Sequence, residues 1–431
     1  MNDVALPRTD PRLRHALAFI FVTVLVDTIG FGIIIPVLPK LIVALSGKPL
    51  TEAARISGWL MVGYAAMQFI FGPVMGGLSD RFGRRPVLLA SLLAFSIDYM
   101  AMAFAPTLAW LFAGRLVAGV TGASFNTAYA YIADVTPPAK RAANFGLIGL
   151  GFGLGFIIGP AAGGILADYG TRVPFLVAGG LALANAAYGW FILPESLDAE
   201  HRRPFEWRRA NAFGSLMHLR TQSPAVLALA TATFLMVFAQ MALQSIWSFY
   251  TIQRFAWTSA EVGYSLAAVG VGAAVMQGGL LRYAVPRYGE RRLIVVGSIS
   301  AIAAYLIYAF ASQGWMIYVG IAAGALSGFV YPSLQGLMSA AVGRSEQGEL
   351  QGAVASLFSV ANIAGPAVMT QLFAATSRPD AALHLPGAPF LLSALCTVAA
   401  LAIFSRAAPP PSDAAHHDQQ HNHEHDEAQP A

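Results

Sequence analysis

Three ionisable side chains stand inside stretches that are otherwise apolar. Asp27 lies in Val24-Leu25-Val26-Asp27-Thr28-Ile29-Gly30-Phe31-Gly32, Asp98 in Phe95-Ser96-Ile97-Asp98-Tyr99, and Arg115 in Gly114-Arg115-Leu116-Val117-Ala118-Gly119. A charge at the centre of a bilayer costs about 3 kcal/mol or more and is seldom kept without a use. The bland reading is a static polar cluster that fixes helix packing. The sharper one is chemical: a desolvated carboxylate favours its protonated form, so Asp27 and Asp98 can load and release a proton as water access alternates. Arg115 would then balance their field.

A second set of residues is polar without being charged. Gln68, Asn126, Gln240, Gln244, Gln277, Gln335 and Asn362 place amides in the same apolar runs, with Tyr64, Tyr129, Trp247 and Tyr331 nearby. Amides and ring hydroxyls on apolar walls suit a mixed pocket for an amphipathic organic molecule. For any one amide, helix-to-helix hydrogen bonding is an equal reading.

The elements that must position these groups are membrane spans. A chain of 431 residues with 56% hydrophobic and 11% charged residues has too much apolar surface for a water-soluble globule, and lipid is its expected solvent. Spans need about 20 apolar residues each. Apolar blocks fall near 16–38, 57–78, 87–105, 107–132, 142–166 and 174–193, then near 224–250, 260–284, 293–311, 315–340, 350–374 and 388–406. The expected fold is therefore an all-α membrane protein of twelve transmembrane helices in two six-helix bundles related by pseudo-two-fold symmetry. Residues 16–193 form one bundle and 224–406 the other. Residues 1–15 form a polar N-terminus, and the run that follows is read as an uncleaved first span. Residues 194–223 form a linker carrying an interfacial helix, and 407–431 a disordered tail.

One register relates the halves. Arg81 and Gly83 match Arg287 and Gly289 at the same step of 206 positions (287 − 81 and 289 − 83), and that step also carries Gly159-Pro160 onto Gly365-Pro366. Such internal repetition is how a duplicated transporter looks in sequence.

The stretch Gly76 to Pro86 packs Asp80, Arg81, Arg84 and Arg85 between the second and third spans, with Gly76, Gly77 and Gly83 as its glycines. Its charges can bridge helix ends in one conformation and part in another, with Asp134 and the start of span eleven near Gln347 to Gly352 as the expected partners. The fifth span carries Gly151, Gly153, Gly155, Gly159, Pro160, Gly163 and Gly164. Small residues let backbones approach and Pro160 removes a backbone bond, so Gly159-Pro160 reads as a pivot.

Alternate loops hold about 19 Lys and Arg on the side of the N-terminus and about 6 on the other, which puts both termini in the cytoplasm. The net charge of +4 is spread over short loops and does not point to nucleic acid. Cys396 is the one cysteine, so no disulfide framework or thiolate cluster is expected. The tail places His416, His417, His421, His423 and His425 among acids, a composition able to hold a divalent metal. No cofactor is expected, and no nucleophile with its base or phosphate-binding loop points to an enzyme.

Along roughly residues 12 to 406 the chain resembles the major facilitator superfamily, and within it the drug:proton antiporters of twelve spans. The resemblance rests on the loop at Gly76 to Pro86, on Arg115 to Gly122, and on the fifth-span motif ending Gly159-Pro160-Ala161-Ala162-Gly163-Gly164. It is closer still to the tetracycline efflux antiporters, through Val26 to Gly30, Pro36 to Pro39, Ile97-Asp98-Tyr99, Asn126 to Asp134, Ser333 to Ser339 and Gln347 to Gly352.

The resemblance implies a bacterial inner-membrane antiporter, acting as a monomer, that exchanges an amphipathic drug for protons. A divalent-metal–tetracycline complex is the cargo of that group. Asp27 and Asp98 would be the coupling acids, with Asp80 and Arg84 gating. Two positions depart from the pattern: the tetracycline antiporters carry a histidine in span eight and an aspartate in span nine, where this chain has Ala273 and Ala301. Coupling must then rest on the N-terminal half, and the substrate is left open. The rival reading in the same fold is a proton-linked symporter or facilitator for a small metabolite.

Overall fold

Residues 11–122, 124–136, 141–205, 223–343 and 347–406 are described by a computed structural model. In the N-terminal half, α1 (Pro11–Ile34) leads through the short α2 (Leu38–Ser46) to α3 (Leu50–Phe82) and α4 (Arg84–Ala103). The fourth span is two pieces, α5 (Leu108–Thr121) and α6 (Ser124–Val135), parted at Gly122. Next come α7 (Arg141–Leu166) and α8 (Val173–Ile192). The C-terminal half begins with α9 (Pro224–Phe255). The eighth span is α10 (Ser259–Val275), a π-helical turn Met276–Leu280 and α11 (Leu281–Tyr288). The ninth is α12 (Glu290–Phe310). The tenth is α13 (Gly314–Gly324), a 3-10 stretch Ala325–Phe329 and α14 (Val330–Ala340). Then follow α15 (Gln347–Thr376) and α16 (Ala388–Arg406).

Ten of these segments are long and apolar enough to cross a membrane, and the shorter Leu108–Thr121 and Ser259–Val275 run on into α6 and α11 to complete twelve. The second span is longer than its apolar block: α3 has 33 residues because Thr51 to Arg55 and Ser79 to Phe82 continue the helix beyond the lipid-facing run. The short α2 was not foreseen. Val37, Leu41 and Ile42 are buried against the rest of the bundle. Starts are set by local chemistry: Thr258 and Glu261 form a reciprocal capping box on α10, with Glu261 accepting from the Thr258 N–H at 2.7 Å.

Packing repeats between the halves. Within the first, α1 packs on α7 and α8, and α4 on α8. Within the second, α9 packs on α15 and α16, and α12 on α16. Two further pairs cross between bundles, α7 with α10 and α3 with α15. Under the 206-residue step each crossing pair maps onto the other, as a two-fold axis requires.

The repeat extends to backbone conformation. Gly83 ends α3 and begins α4 with φ +105°, and Gly289 ends α11 and begins α12 with φ +73°. Each donates its N–H four residues back, to Ser79 and to Val285. Left-handed φ at these tight junctions is what demands glycine. The linker's predicted interfacial helix falls mainly in 206–222, outside the described residues; up to Phe205 the linker shows a 3-10 turn, Ala199–His201. The histidine tail and residues 1–10 also lie outside them.

Candidate functional site

A cavity of about 420 Å³ lies between the two bundles at mid-helix depth. From the first half it is lined by Asp27, Tyr64, Gln68, Tyr99 and Arg115, and from the second by Gln240, Gln244, Ser245, Ser248 and Asn362. Asp27 is the one carboxylate on its wall among the described residues. Its surroundings follow from the glycines around it: Tyr99 packs so near Gly30 that a Cβ there would lie 3.0 Å from the ring. Tyr64 lies under Arg115, its ring centre 5.6 Å from the guanidinium carbon. Gln68 donates to the Gly122 carbonyl at 3.0 Å, tying α3 to the break in the fourth span.

Asp98 does not reach the cavity wall. Its carboxylate on α4 is ion-paired with the Arg115 guanidinium on α5, and the two side chains are only 1% and 16% exposed. Gly114 makes the approach feasible, since a Cβ there would stand 3.0 Å from Asp98 Oδ1. Asp27 thus faces the cavity directly, whereas Asp98 meets it through Arg115. A buried pair of this kind is costly to break, because removing one partner strands a charge.

The motif at Gly76 to Pro86 closes one end of the N-terminal bundle. Arg84 donates to Asp80 Oδ1 at 2.5 Å, to Ser79 Oγ at 2.9 Å and to Asp134 Oδ2 at 3.0 Å, so three elements meet on one guanidinium. Ser196 shares Asp134 at 3.1 Å. Of the expected partners, Asp134 is the one seen on Arg84. Gln347 turns to Ser339 and Val342, and Glu195, just beyond α8, accepts from the backbone N–H groups of Arg84 at 2.8 Å and Arg85 at 3.3 Å. Four orphan N–H groups at a helix start attract a carboxylate, and Glu195 fills that place on α4. The linker docks here too: the Arg203 N–H donates to the Asp80 carbonyl, and Phe205 covers Gly77. An acid directly after a span on the basic side was the available signal for Glu195.

Other candidates divide. Gln240 and Gln244 join the cavity as expected. Gln335 does not: its amide donates to Gln351 at 2.9 Å, outside the cavity lining, because it lies nearer the motif end of α14. Tyr129 is exposed on α6 and also absent from that lining. Trp247 is buried in the C-terminal bundle with Nε1 donating to Ser265. Arg81 is exposed, its guanidinium over the neighbouring Phe82 ring. Gly76 stands in open space. The side chains of Asn126 and Gln277 lie outside the described set.

Gly159 and Pro160 sit where three helices touch. A Cβ on Gly32 of α1 would lie 2.7 Å from Pro160, and one on Gly263 of α10 would lie 2.2 Å from its carbonyl. The crossing contacts concentrate at the end opposite the motif. Gly164, Gly263 and Gly270 are tightly packed across the α7–α10 seam, whereas Gly146, Gly149, Gly153, Gly272 and Gly279, nearer the motif, meet nothing. Among the described residues the bundles are thus closed at the far end and parted at the motif end.

Two helix bundles joined by a swappable pair of seams, with a buried acid facing a cavity that lies between them, define a transporter of the alternating-access class. The sequence profile described as Major Facilitator Superfamily matches residues 20–366 and 280–425. The chain is 40% identical over 367 residues to a class C tetracycline resistance protein of Escherichia coli, covering 84% of this chain and 91% of that one. To the class D tetracycline resistance protein of Salmonella ordonez it is 35% identical, covering 87% and 94%. Among solved structures, a bacterial homolog of the human lysosomal transporter Spinster superposes with TM-score 0.74 at 16% identity, over 93% of this chain and 98% of that one. The chain belongs to the Major Facilitator Superfamily, as a multi-pass membrane transporter.

Proposed function

We propose that this protein exports an amphipathic, tetracycline-like drug from the bacterial cytoplasm in exchange for protons, by rocking its two bundles about the central cavity. The observation that carries the reading is the connected set Asp27–cavity–Arg115–Asp98: a carboxylate on the cavity wall and a second one behind the arginine that shares that wall. Protonating Asp27 removes its charge from the cavity, and ionising it restores a site for a cationic or metal-complexed cargo. Asp98 holds Arg115 in place and balances its fixed positive charge beside the cavity. The metal of a tetracycline complex enters as cargo, with Asp27 and the amides of Gln68, Gln240 and Gln244 as the groups able to face it. Names of the relatives supply the drug class, and identity across most of the chain supports the transfer. The basic loops support placing both termini in the cytoplasm of an inner-membrane monomer, so that this conformation opens inward.

Everted membrane vesicles test the reading. Addition of magnesium–tetracycline should drive proton efflux from vesicles carrying the protein and none from vesicles with Asp27→Asn. Efflux unchanged by both Asp27→Asn and Asp98→Asn removes proton coupling from these acids.

A further inference from the structure

A second cavity, of about 310 Å³, lies inside the C-terminal bundle at mid-helix depth. Its walls come from α9, α10, α12, α13, α14, α15 and α16, and among the described residues no charged side chain lines it. Small residues create it: Ala273 of α10 and Ala301 and Ala304 of α12 line one void with Gly324 and Gly328. The two alanines that break the tetracycline-antiporter pattern thus share a single space. Val237, Gln240 and Phe358 line both this cavity and the central one, so the two adjoin.

Independent of the void, the backbone around it is irregular on two spans. The π turn Met276–Leu280 directly follows the α10 wall, and Ala325, Ser327 and Gly328 of the 3-10 stretch Ala325–Phe329 are themselves lining residues. Met276 packs on Gly328. Non-helical backbone at membrane depth persists where it is buried in protein or lines a cavity, and π turns recur at functional sites. The walls are also braced. Tyr308 stands edge-on to Trp247 with ring centres 5.0 Å apart, and its carbonyl accepts from the Tyr250 hydroxyl at 2.6 Å. Tyr331 stands edge-on to Phe358, also at 5.0 Å. Braced rings keep the space from collapsing.

We propose that this cavity is a ligand-binding lobe for a neutral, hydroxylated aromatic group. The volume is about twice that at which an apolar cavity takes up benzene, enough for two fused rings. Tyr305, Tyr308 and Tyr331 supply faces for stacking, and Gln240, Thr233 and Ser327 supply hydrogen-bond partners for a hydroxyl. A charged ligand finds no counter-charge there. As a lobe of the export path the proposal rests on the drug-export reading, extending it to cargo whose neutral aromatic end enters through Gln240 while its polar end stays near Asp27.

Equilibrium dialysis of tritiated 2-naphthol against the purified full chain, with detergent alone as the blank, tests it. Saturable binding is expected, weakened about tenfold or more by Ala301→Leu and by Ala273→Leu, whose side chains overfill the void, and retained by Ala301→Ser. Binding is also expected to survive Asp27→Asn, which the export reading requires to stop drug exchange, so the two ideas fail separately. No saturable binding, or equal binding by all four variants, overturns the lobe. Should the leucine variants fail to fold, photolabelling of the unmodified protein with an azido-naphthalene decides: label on residues 269–273 or 301–334, which hold lining residues of this cavity alone, supports the lobe, and label confined elsewhere overturns it.

Discussion

Arg378, in the loop after α15, is ion-paired with Glu52 in the first turn of α3, joining the two bundles at the end opposite the Gly76 to Pro86 motif. Arg55 extends the clasp, donating to Glu52 Oε2 at 3.1 Å and to Gln371 Oε1 at 3.0 Å. Below it, Thr370 packs so hard on Gly58 that a Cβ there would lie 2.0 Å from its hydroxyl, and Ser248 donates to the Ile35 carbonyl at 2.9 Å. These contacts must part for the cavity to open at the far end, which makes the clasp part of the conformational equilibrium.

Glu52→Arg should bias the protein toward far-end opening. The pair is partly exposed, so the shift is about 1 kcal/mol, or roughly fivefold in the open population. Ser248→Cys in a Cys396→Ser background reports it through alkylation by a membrane-impermeant reagent applied from the far side. The rate should rise in Glu52→Arg and fall back in Glu52→Arg/Arg378→Glu.

Breaking the buried pair of Asp98 and Arg115 should separate stability from coupling. Arg115→Gln strands the Asp98 carboxylate at a cost of about 3–5 kcal/mol, partly offset if the acid takes a proton. The double variant Asp98→Asn/Arg115→Gln should recover most of the thermal stability in detergent. Its proton flux in vesicles should stay low, since the coupling carboxylate and its arginine are both gone.

Gly83 and Gly76 should respond in opposite directions to alanine. At Gly83, φ is +105° and a Cβ would stand 2.2 Å from Glu195 Oε2, so Gly83→Ala should destabilise by about 1–3 kcal/mol. At Gly76, within α3 and in open space, Gly76→Ala should stabilise by up to about 1 kcal/mol. Thermal unfolding measures both. Transport lost in Gly76→Ala without loss of stability would show that Gly76 is packed tightly in the opposite conformation.

Arg84→Lys should lose transport while leaving the protein in the membrane. One guanidinium joins Ser79, Asp80 and Asp134, and an ammonium cannot reproduce that fork. Glu195→Gln should cost about 1 kcal/mol of stability by weakening the cap on α4, with Arg84 still bound to its acids. Vesicle uptake with membrane quantification, alongside unfolding midpoints, distinguishes the two effects.

Much of this was legible in the chain itself. Apolar run lengths fix the number of spans, because lipid leaves a backbone no partner other than its own helix. The 206-residue echo exposes the duplication, and at Gly83 and Gly289 it predicts equal residues that proved to share a left-handed backbone. Asp27, Asp98 and Arg115 declare themselves because charge is rare and expensive in apolar runs.

What the sequence left open depended on which helix faces meet. Asp27 and Asp98 are alike as acids in apolar spans, yet one faces the cavity and the other lies behind Arg115. Gln240 and Gln335 are alike as intramembrane amides, yet one joins two cavities and the other binds Gln351. Glu52 with Arg378, Arg84 with Glu195, and Ala273 with Ala301 are brought together across long stretches of sequence. Hydrophobicity and repetition are local properties that a chain carries in its order of residues. Pairing across bundles, and the voids left where small residues meet, exist only once the helices have packed.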